Sequence, residues 1–410
     1  MLRHEALDPG TAFVDLHKSA RLRALSRLPA AHQPKWLHHT DLACIRGELA
    51  ALPALVGRAG IAALRDALCE VEEGTSLLLH VGECAELFTM AGQDQVERRL
   101  RLYRAMADRL AARTGSSVVL LARMAGQHAK PRSSPTEELP DGTVLPVYAG
   151  DAVNALESTE VGRRADPWRL LTSYDRSRDT LTALQELSAA GQRAFVSHEA
   201  LLTDYEEPMT RGERELHSAG GHLVWIGERT RGATDWHIQW AASIANPVGV
   251  KLGPTARSQD VVRLVRTLNP RSQSGRLSLI ARMGAAAAAD RLASLAGAVR
   301  RSGVPVLWQC DPMHGNTRRA GGVKLRLLSD LRAEMTAFVR TLRAVGARPG
   351  GLHLEVTPED VRECLEDEDS PGTVTSSAPC DPRLNTDQAL ELVDHFAYEL
   401  TCSPQTGVHR

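Results

Sequence analysis

Val248-Gly249-Val250-Lys251-Leu252-Gly253-Pro254-Thr255 is an apolar run of strand length that ends in a lysine, a glycine and a proline, and residues 259–268 behind it have helical length and an amphipathic pattern. Parallel strands need a crossover between them, so an apolar strand that gives way to a helix is the building unit of a parallel sheet. The unit recurs along the chain. Apolar runs of the same kind occupy residues 77–81, 118–122, 194–197, 222–226, 277–280, 304–308 and 352–356, and helical stretches occupy 93–113, 285–301 and 325–345. Strands that are apolar almost without interruption are buried on both faces. Eight such units predict an α/β fold of the (β/α)8 TIM barrel type; an open doubly wound sheet is the rival architecture, which counting alone leaves standing.

The chain upstream is rich in Ala, Leu and Arg and breaks at Leu28-Pro29, so residues 1–74 read as a helical N-terminal extension and residues 75–410 as the catalytic barrel. Two insertions interrupt the rhythm: a long loop insertion after the second strand, holding the polar stretch 127–146, and the acidic segment 366–379 after the last strand. Both belong beside the C-terminal mouth of a barrel, where such enzymes place their chemistry.

Composition narrows the classes. Of 410 residues 43% are hydrophobic, enough for a large core, and 49 basic residues balance 50 acidic ones, which speaks against bulk attraction to nucleic acid or to an anionic membrane. No apolar stretch is long enough to span a bilayer, and the first 20 residues lack the layout of a signal peptide, so a cytoplasmic protein with reduced thiols is expected. The seven cysteines are odd in number and lack CxxC spacing.

Polar residues gather where the strands end. Arg123, Lys130, Arg132, Arg229, Lys251 and Arg282 follow successive strands or lie on them, and together they would be costly to bury without anions, whereas any one alone reads as a solvated surface charge. Two phosphorylated substrates would supply the anions. Cys84, His314, Glu355 and Asp381 combine thiolate, imidazole and carboxylate, a donor set suited to a borderline divalent ion such as Mn, Co, Fe or Zn, although spacing alone favours a buried cysteine and a satisfied core histidine.

Several blocks point to a family. Lys130-Pro131-Arg132-Ser133, Trp225-Ile226-Gly227-Glu228-Arg229-Thr230-Arg231, Asn246 to Thr255, Trp308-Gln309-Cys310-Asp311-Pro312-Met313-His314-Gly315-Asn316-Thr317, Gly350-Gly351-Leu352-His353-Leu354-Glu355 and Cys380-Asp381-Pro382-Arg383-Leu384-Asn385 resemble the type II (plant-type) 3-deoxy-D-arabino-heptulosonate 7-phosphate (DAHP) synthases, over about residues 28–400. The resemblance implies a transferase that condenses phosphoenolpyruvate with erythrose 4-phosphate at the head of the shikimate pathway. It implies that Cys84, His314, Glu355 and Asp381 hold the divalent metal, chiefly Mn or Co, and that Arg123, Lys130, Glu228, Arg229, Lys251 and Arg282 surround phosphoenolpyruvate. By the same carry-over Arg132 and Ser133, with Arg229 nearby, receive the phosphate of the tetrose, and Lys324 lies close to the site. In the mechanism the resemblance implies, Lys130 is the candidate proton donor to the new alkoxide and Glu228 a candidate to orient the attacking water.

The chain also departs from the family pattern. It has Gly82-Glu83-Cys84 where Gly-Gly-Asp-Cys is common, and Tyr148-Ala149-Gly150-Asp151 where Tyr-Arg-Gly-Asp is usual, so one positive charge is missing near the long loop. A modified tetrose, such as an imino or amino sugar phosphate of secondary metabolism, is therefore an alternative substrate, and an idle metabolite-binding regulatory paralogue is an alternative of another class. The short extension argues against feedback by aromatic amino acids. Self-association into a homo-oligomer through the helical N-terminal region, and a chorismate-pathway enzyme as partner, complete the expectations. If Cys84 and Asp381 share one ion, Cys380 lies near Cys84, and oxidation of that pair would expel the metal.

Overall fold

Eight parallel strands close on themselves: β1 Ser76–Gly82, β2 Ser117–Arg123, β3 Ala194–Glu199, β4 Leu223–Ile226, β5 Val248–Leu252, β6 Leu277–Ala281, β7 Leu307–Cys310 and β8 Pro349–Glu355. Each strand pairs with the next in sequence and β8 returns to β1, which makes the closed barrel and excludes the open sheet. This computed structural model describes residues 22–37, 39–139, 141–188, 193–213, 215–320, 323–367, 374 and 377–402. The first part of the N-terminal extension and most of the acidic segment 366–379 therefore lie outside the described residues.

Helices α1 His39–Ala51 and α2 Arg58–Glu73 precede the barrel. Leu64, Leu68 and Val71 of α2 share one apolar cluster with Leu78, Leu121, Phe195, Leu223, Ile280 and Leu307, residues of six barrel strands. Helix α2 thus closes the N-terminal end of the barrel, and its apolar positions, three and four apart, face that opening. Between and after the strands run α3 Gln93–Thr114, α4 Arg169–Ser188, α5 Trp236–Ser243, α6 Ser258–Leu268, α7 Ala288–Ser302, α8 Leu328–Ala344 and α9 Thr386–Cys402.

Element boundaries shift from the expected ones for local reasons. The seventh strand starts at Leu307 rather than 304, since Pro305 has no N–H to give a ladder. The helix expected from 325 begins at Leu328, because Val323–Leu327 is a strand paired with Arg318–Ala320 on one side and Cys364–Leu365 on the other. The insertion after β2 is not loop throughout. It contains a hairpin, Thr136–Glu138 with Val144–Pro146, before α4 resumes the barrel rhythm.

Register places the site. Gly82 at the end of β1 pairs with Arg123 on one side and Glu355 on the other. A Cβ at Gly82 would lie 2.6 Å from the Cβ of Arg123, so only glycine leaves room for the two flanking strand ends. Gly351, lower on β8, faces the backbone of Leu78, and an added Cβ would run into the Leu78 carbonyl. Gly351→Ala is expected to force β8 away from β1 and to cost about 1–3 kcal/mol, read as a lowered midpoint in urea unfolding.

Candidate active site

The barrel interior changes character along its axis. Above the apolar layer that α2 closes lies a hydrogen-bonded layer of His80, Ser197, Gln309 and His353, all fully buried. Nε2 of His80 meets Ser197 Oγ at 2.8 Å, its Nδ1 lies 3.1 Å from the Gln309 side chain and 2.9 Å from Nδ1 of His353, and Nε2 of His353 accepts from Arg123 at 3.3 Å. Burial first, and the cation Arg123 among other charges, holds both imidazoles well below their usual pKa, so they brace Arg123 as neutral rings. The guanidinium also lies over the Trp225 ring at 5.3 Å.

Higher still, the C-terminal rim is charged. Glu355, wholly buried, accepts on Oε1 from Arg123 at 3.1 Å and Lys130 at 3.2 Å, faces His314 Nε2 at 3.0 Å, and on Oε2 meets Arg326 at 2.9 Å. Burial alone would raise its pKa, but His314, Lys130 and Arg326 hold it well below the usual carboxylate range. Asp381 joins Lys130 at 2.5 Å and Lys324 at 2.7 Å. Asp311 meets His314 Nδ1 at 2.8 Å and Lys251 at 3.3 Å. Lys251 is buried, and burial first, then repulsion from Arg123, lowers its pKa to about 8 despite Asp311.

One atom from each of His314, Glu355 and Asp381 lies within 4.8 Å of the others, a cluster able to hold a metal ion. Cys84 is not in that set. Its backbone carbonyl accepts from Lys130 at 3.2 Å, and its thiol engages the thiol of Cys380, both cysteines being unoxidised. Burial opposes ionisation of Cys84, but the Cys380 hydrogen bond and the Lys130 ammonium bring its pKa down to about 7. Three expected donors therefore meet directly, with the fourth joined to them through Lys130, and imidazole, carboxylates and a near-thiolate suit a borderline divalent ion.

These groups open into a cavity of about 790 Å3. Among the expected residues, Lys130, Arg132, Ser133, Glu228, Arg229, Lys251, Arg282, His314, Lys324 and Asp381 line it, whereas Arg123, Glu355 and Cys84 lie behind its wall. Arg229 donates to Ser133 Oγ at 2.9 Å, which joins the loop after β2 to the turn after β4. Arg282 donates to the His314 carbonyl at 2.6 Å. The Glu228 carboxylate is gripped by Arg231 at 2.8 and 2.9 Å and by the Gly253 N–H at 2.7 Å.

Sequence reasoning assigned no role to Glu199, Asp311, Arg231 or Arg326. Glu199 ends β3, lines the cavity and is 8% exposed, yet its Oε1 has no hydrogen-bond partner among the described residues. Its place two residues past the apolar run 194–197 was the available signal. Asp311 stands three residues before His314 and Arg326 two residues after Lys324, but only the fold reveals that they anchor His314 and Glu355.

A second cavity of about 620 Å3, mostly apolar, adjoins the first through Lys130, Pro131, Arg132, Ser133 and Ser134, and Ala149 lies in its lining.

Comparison with known proteins adds identity to geometry. A family model described as the class-II DAHP synthetase family matches residues 20–194 and 189–397. A phospho-2-dehydro-3-deoxyheptonate aldolase of Streptomyces coelicolor is 36% identical over 423 residues, which span 89% of this chain and 94% of that one. A probable phospho-2-dehydro-3-deoxyheptonate aldolase of Pseudomonas fluorescens is 38% identical over 383 residues, or 91% of this chain and 96% of its own. The solved structure of a phospho-2-dehydro-3-deoxyheptonate aldolase from Francisella tularensis superposes with a TM-score of 0.53 at 12% identity, covering 91% of this chain and 98% of that one, a likeness of fold.

Glu334 of α8 supports the rim from outside, accepting from the Met283 N–H and from Asn316, each at 2.7 Å. Burial first, then the charge of Asp311, raises its pKa to about 8. Because the folded pKa exceeds the unfolded one, Glu334 favours the fold fully below the unfolded carboxylate pKa of about 4.3, and that contribution is lost as pH rises to about 8. Glu334→Gln is expected to remove this pH-dependent fall, so urea midpoints of the variant should gain on wild type from pH 5 to 8 and run parallel above.

Proposed function

The chain belongs to the class-II DAHP synthetase family, and from that premise we propose how its own residues carry the family reaction. The protein is a 3-deoxy-7-phosphoheptulonate synthase: phosphoenolpyruvate, erythrose 4-phosphate and water give 3-deoxy-D-arabino-heptulosonate 7-phosphate and inorganic phosphate, the first step of the shikimate pathway. The observation that carries the residue assignment is the cationic cavity whose wall contains His314 and Asp381, with Glu355 of the same cluster directly behind it.

Lys130, Lys251, Arg229 and Arg282 on the cavity wall, with Arg123 behind it, receive the phosphate and carboxylate of phosphoenolpyruvate; guanidinium forks fix orientation, and ammonium groups supply compact charge. Arg132 and Ser133 receive the tetrose phosphate, and the Arg229–Ser133 bond sets the distance between the two anion positions. His314, Glu355 and Asp381, with Cys84 beside them, hold the divalent ion, Mn or Co in our reading, with Fe or Zn also suited to the donors. When bound, the ion would supply Lewis acidity for activating the aldehyde.

Attack of C3 of the enol ester on the aldehyde leaves positive character at C2, and Lys130, placed between Asp381 and Glu355, delivers the proton to the new alkoxide. Water adds at C2 and phosphate leaves. Glu228 lines the cavity, but Arg231 and Gly253 engage its carboxylate, so it orients water only through that fixed frame. Glu199, which lines the same cavity and keeps one buried carboxylate oxygen unpartnered among the described residues, is the second candidate to accept from that water. Lys324 holds Asp381 in position.

One observation favours a second substrate reading. Ala149, where the family pattern has arginine, lines the apolar cavity next to Lys130 and Ser133, which leaves space for a modified tetrose such as an amino or imino sugar phosphate. No helix among the described residues is long and apolar enough to cross a membrane. We place the enzyme in the cytoplasm, as a homo-oligomer, with a chorismate-pathway enzyme as a candidate partner.

Purified protein with Mn or Co should release phosphate only when phosphoenolpyruvate and an aldose phosphate are both present, and a chelator should abolish the release; mass analysis of the product across a panel of aldose phosphates separates the two substrate readings. Phosphate release from phosphoenolpyruvate alone would count against the condensation. Lys130→Met should lower kcat by about 10²–10⁴-fold. In a metal titration Cys84→Ser should weaken the ion by about 10-fold or more, and unchanged affinity would leave the ion to the other three donors.

A further inference from the structure

At the opposite end of the barrel, beneath α2 and beside the starts of β5 and β6, lies a separate cavity of about 310 Å3. Arg65 from α2, Arg271 from the turn after α6, and Arg276 just before β6 all line it, and Glu215 is its one acidic lining residue. Glu215 is already paired with Arg58. Gly275, with φ +68, lets α2 pack close here: a Cβ at that position would lie 2.9 Å from Cys69 Sγ and would run into the Arg65 carbonyl.

Arg276 is 5% exposed. Its NH2 donates to the Ala241 carbonyl at 2.7 Å and its Nε to the Leu268 carbonyl at 3.3 Å, so it caps the C-terminal ends of α5 and α6. That leaves NH1, which is buried and without a hydrogen-bond partner among the described residues. Ser243 lines the same cavity at 8% exposure, and its Oγ is likewise buried and unpartnered. Two orphan polar groups in one arginine-lined pocket leave hydrogen-bonding capacity unused, which proteins rarely tolerate without a ligand or water. Burial, and then repulsion from Arg65, lowers the Arg276 pKa to about 10, so the group stays charged at neutral pH and an anion between the two guanidiniums would relieve the repulsion.

We propose that this floor cavity binds a phosphate-class oxyanion, held by Arg65, Arg271 and NH1 of Arg276 with Ser243 as a further donor. Guanidinium forks match tetrahedral oxyanions, and a serine hydroxyl completes such a cradle. The proposal does not depend on the catalytic reading, since none of these residues lines the catalytic cavity.

The test is equilibrium dialysis of the full chain against labelled inorganic phosphate at constant ionic strength, comparing wild type with Arg65→Gln/Arg271→Gln and with Ser243→Ala. The double variant should lose one phosphate per chain, or bind it about tenfold or more weakly, as expected for lost charge-assisted hydrogen bonds. Ser243→Ala should weaken binding by a smaller factor. Turnover and unfolding midpoint serve as fold controls, and Arg276 is left intact because its replacement uncaps two helices. Equal phosphate binding by wild type and double variant overturns the proposal. So does displacement of the floor component by an equal concentration of chloride, the result expected of an adventitious ion only. Competition for the floor component by a phosphomonoester such as phosphoenolpyruvate would identify an ester as ligand, and its failure to compete would identify inorganic phosphate; either result supports the oxyanion site.

Discussion

The active end of this barrel is organised around one buried anion. Glu355 has no exposure to solvent, and four groups converge on it from β2, the loop behind β2, the turn after β7 and the strand Val323–Leu327. A buried carboxylate is tolerable only when paired and hydrogen-bonded, and losing one partner of a buried pair costs about 3–5 kcal/mol. Glu355 is therefore both a candidate metal donor and the point that fixes Arg123, Lys130 and His314 relative to one another. Gly82 makes the convergence feasible, because the strand between Arg123 and Glu355 ends there without a side chain.

Charge explains the rest of the rim. Glu355, Asp381 and Asp311 are met by Arg123, Lys130, Lys251, Lys324 and Arg326, so cations already outnumber acids before Arg132, Arg229 and Arg282 are added. Such an excess in a low-dielectric cavity is relieved by anionic substrates, and it opposes the mutual repulsion of two phosphorylated molecules held together. A neutral histidine layer lies below this rim. His80 and His353 carry no charge of their own, yet they fix the guanidinium of Arg123 from beneath.

The two ends of β6 show how one strand serves opposite surfaces. Arg276 precedes it and reaches across helix ends at the floor, whereas Arg282 follows it and reaches the His314 carbonyl at the catalytic rim. Between them Leu277–Ala281 is buried throughout, so the apolar strand separates two polar environments that share no residue.

Period and punctuation along the chain determined the strand–helix unit and its eightfold recurrence, while closure of the sheet came only with the fold. Apolar runs of strand length alternating with helical stretches called for a barrel, and charged residues directly after those runs marked the mouth, because strand direction sends every such residue to the same rim. The blocks around Lys130, Glu228, Lys251, His314, Glu355 and Asp381 were likewise legible, since each is local in sequence. Tertiary structure alone decided partnership. That Arg231 occupies Glu228, that Asp311 anchors His314, that Cys84 stands outside the three clustered donors, and that Glu199 and Arg276 keep unpartnered atoms are consequences of side chains meeting in the fold. Arg231–Glu228 and Asp311–His314 are only three residues apart, so nearness in the chain did not reveal the pairing. A linear pattern fixes which face or strand end a side chain occupies, but which neighbour satisfies its charge or hydrogen bond depends on strand closure and register.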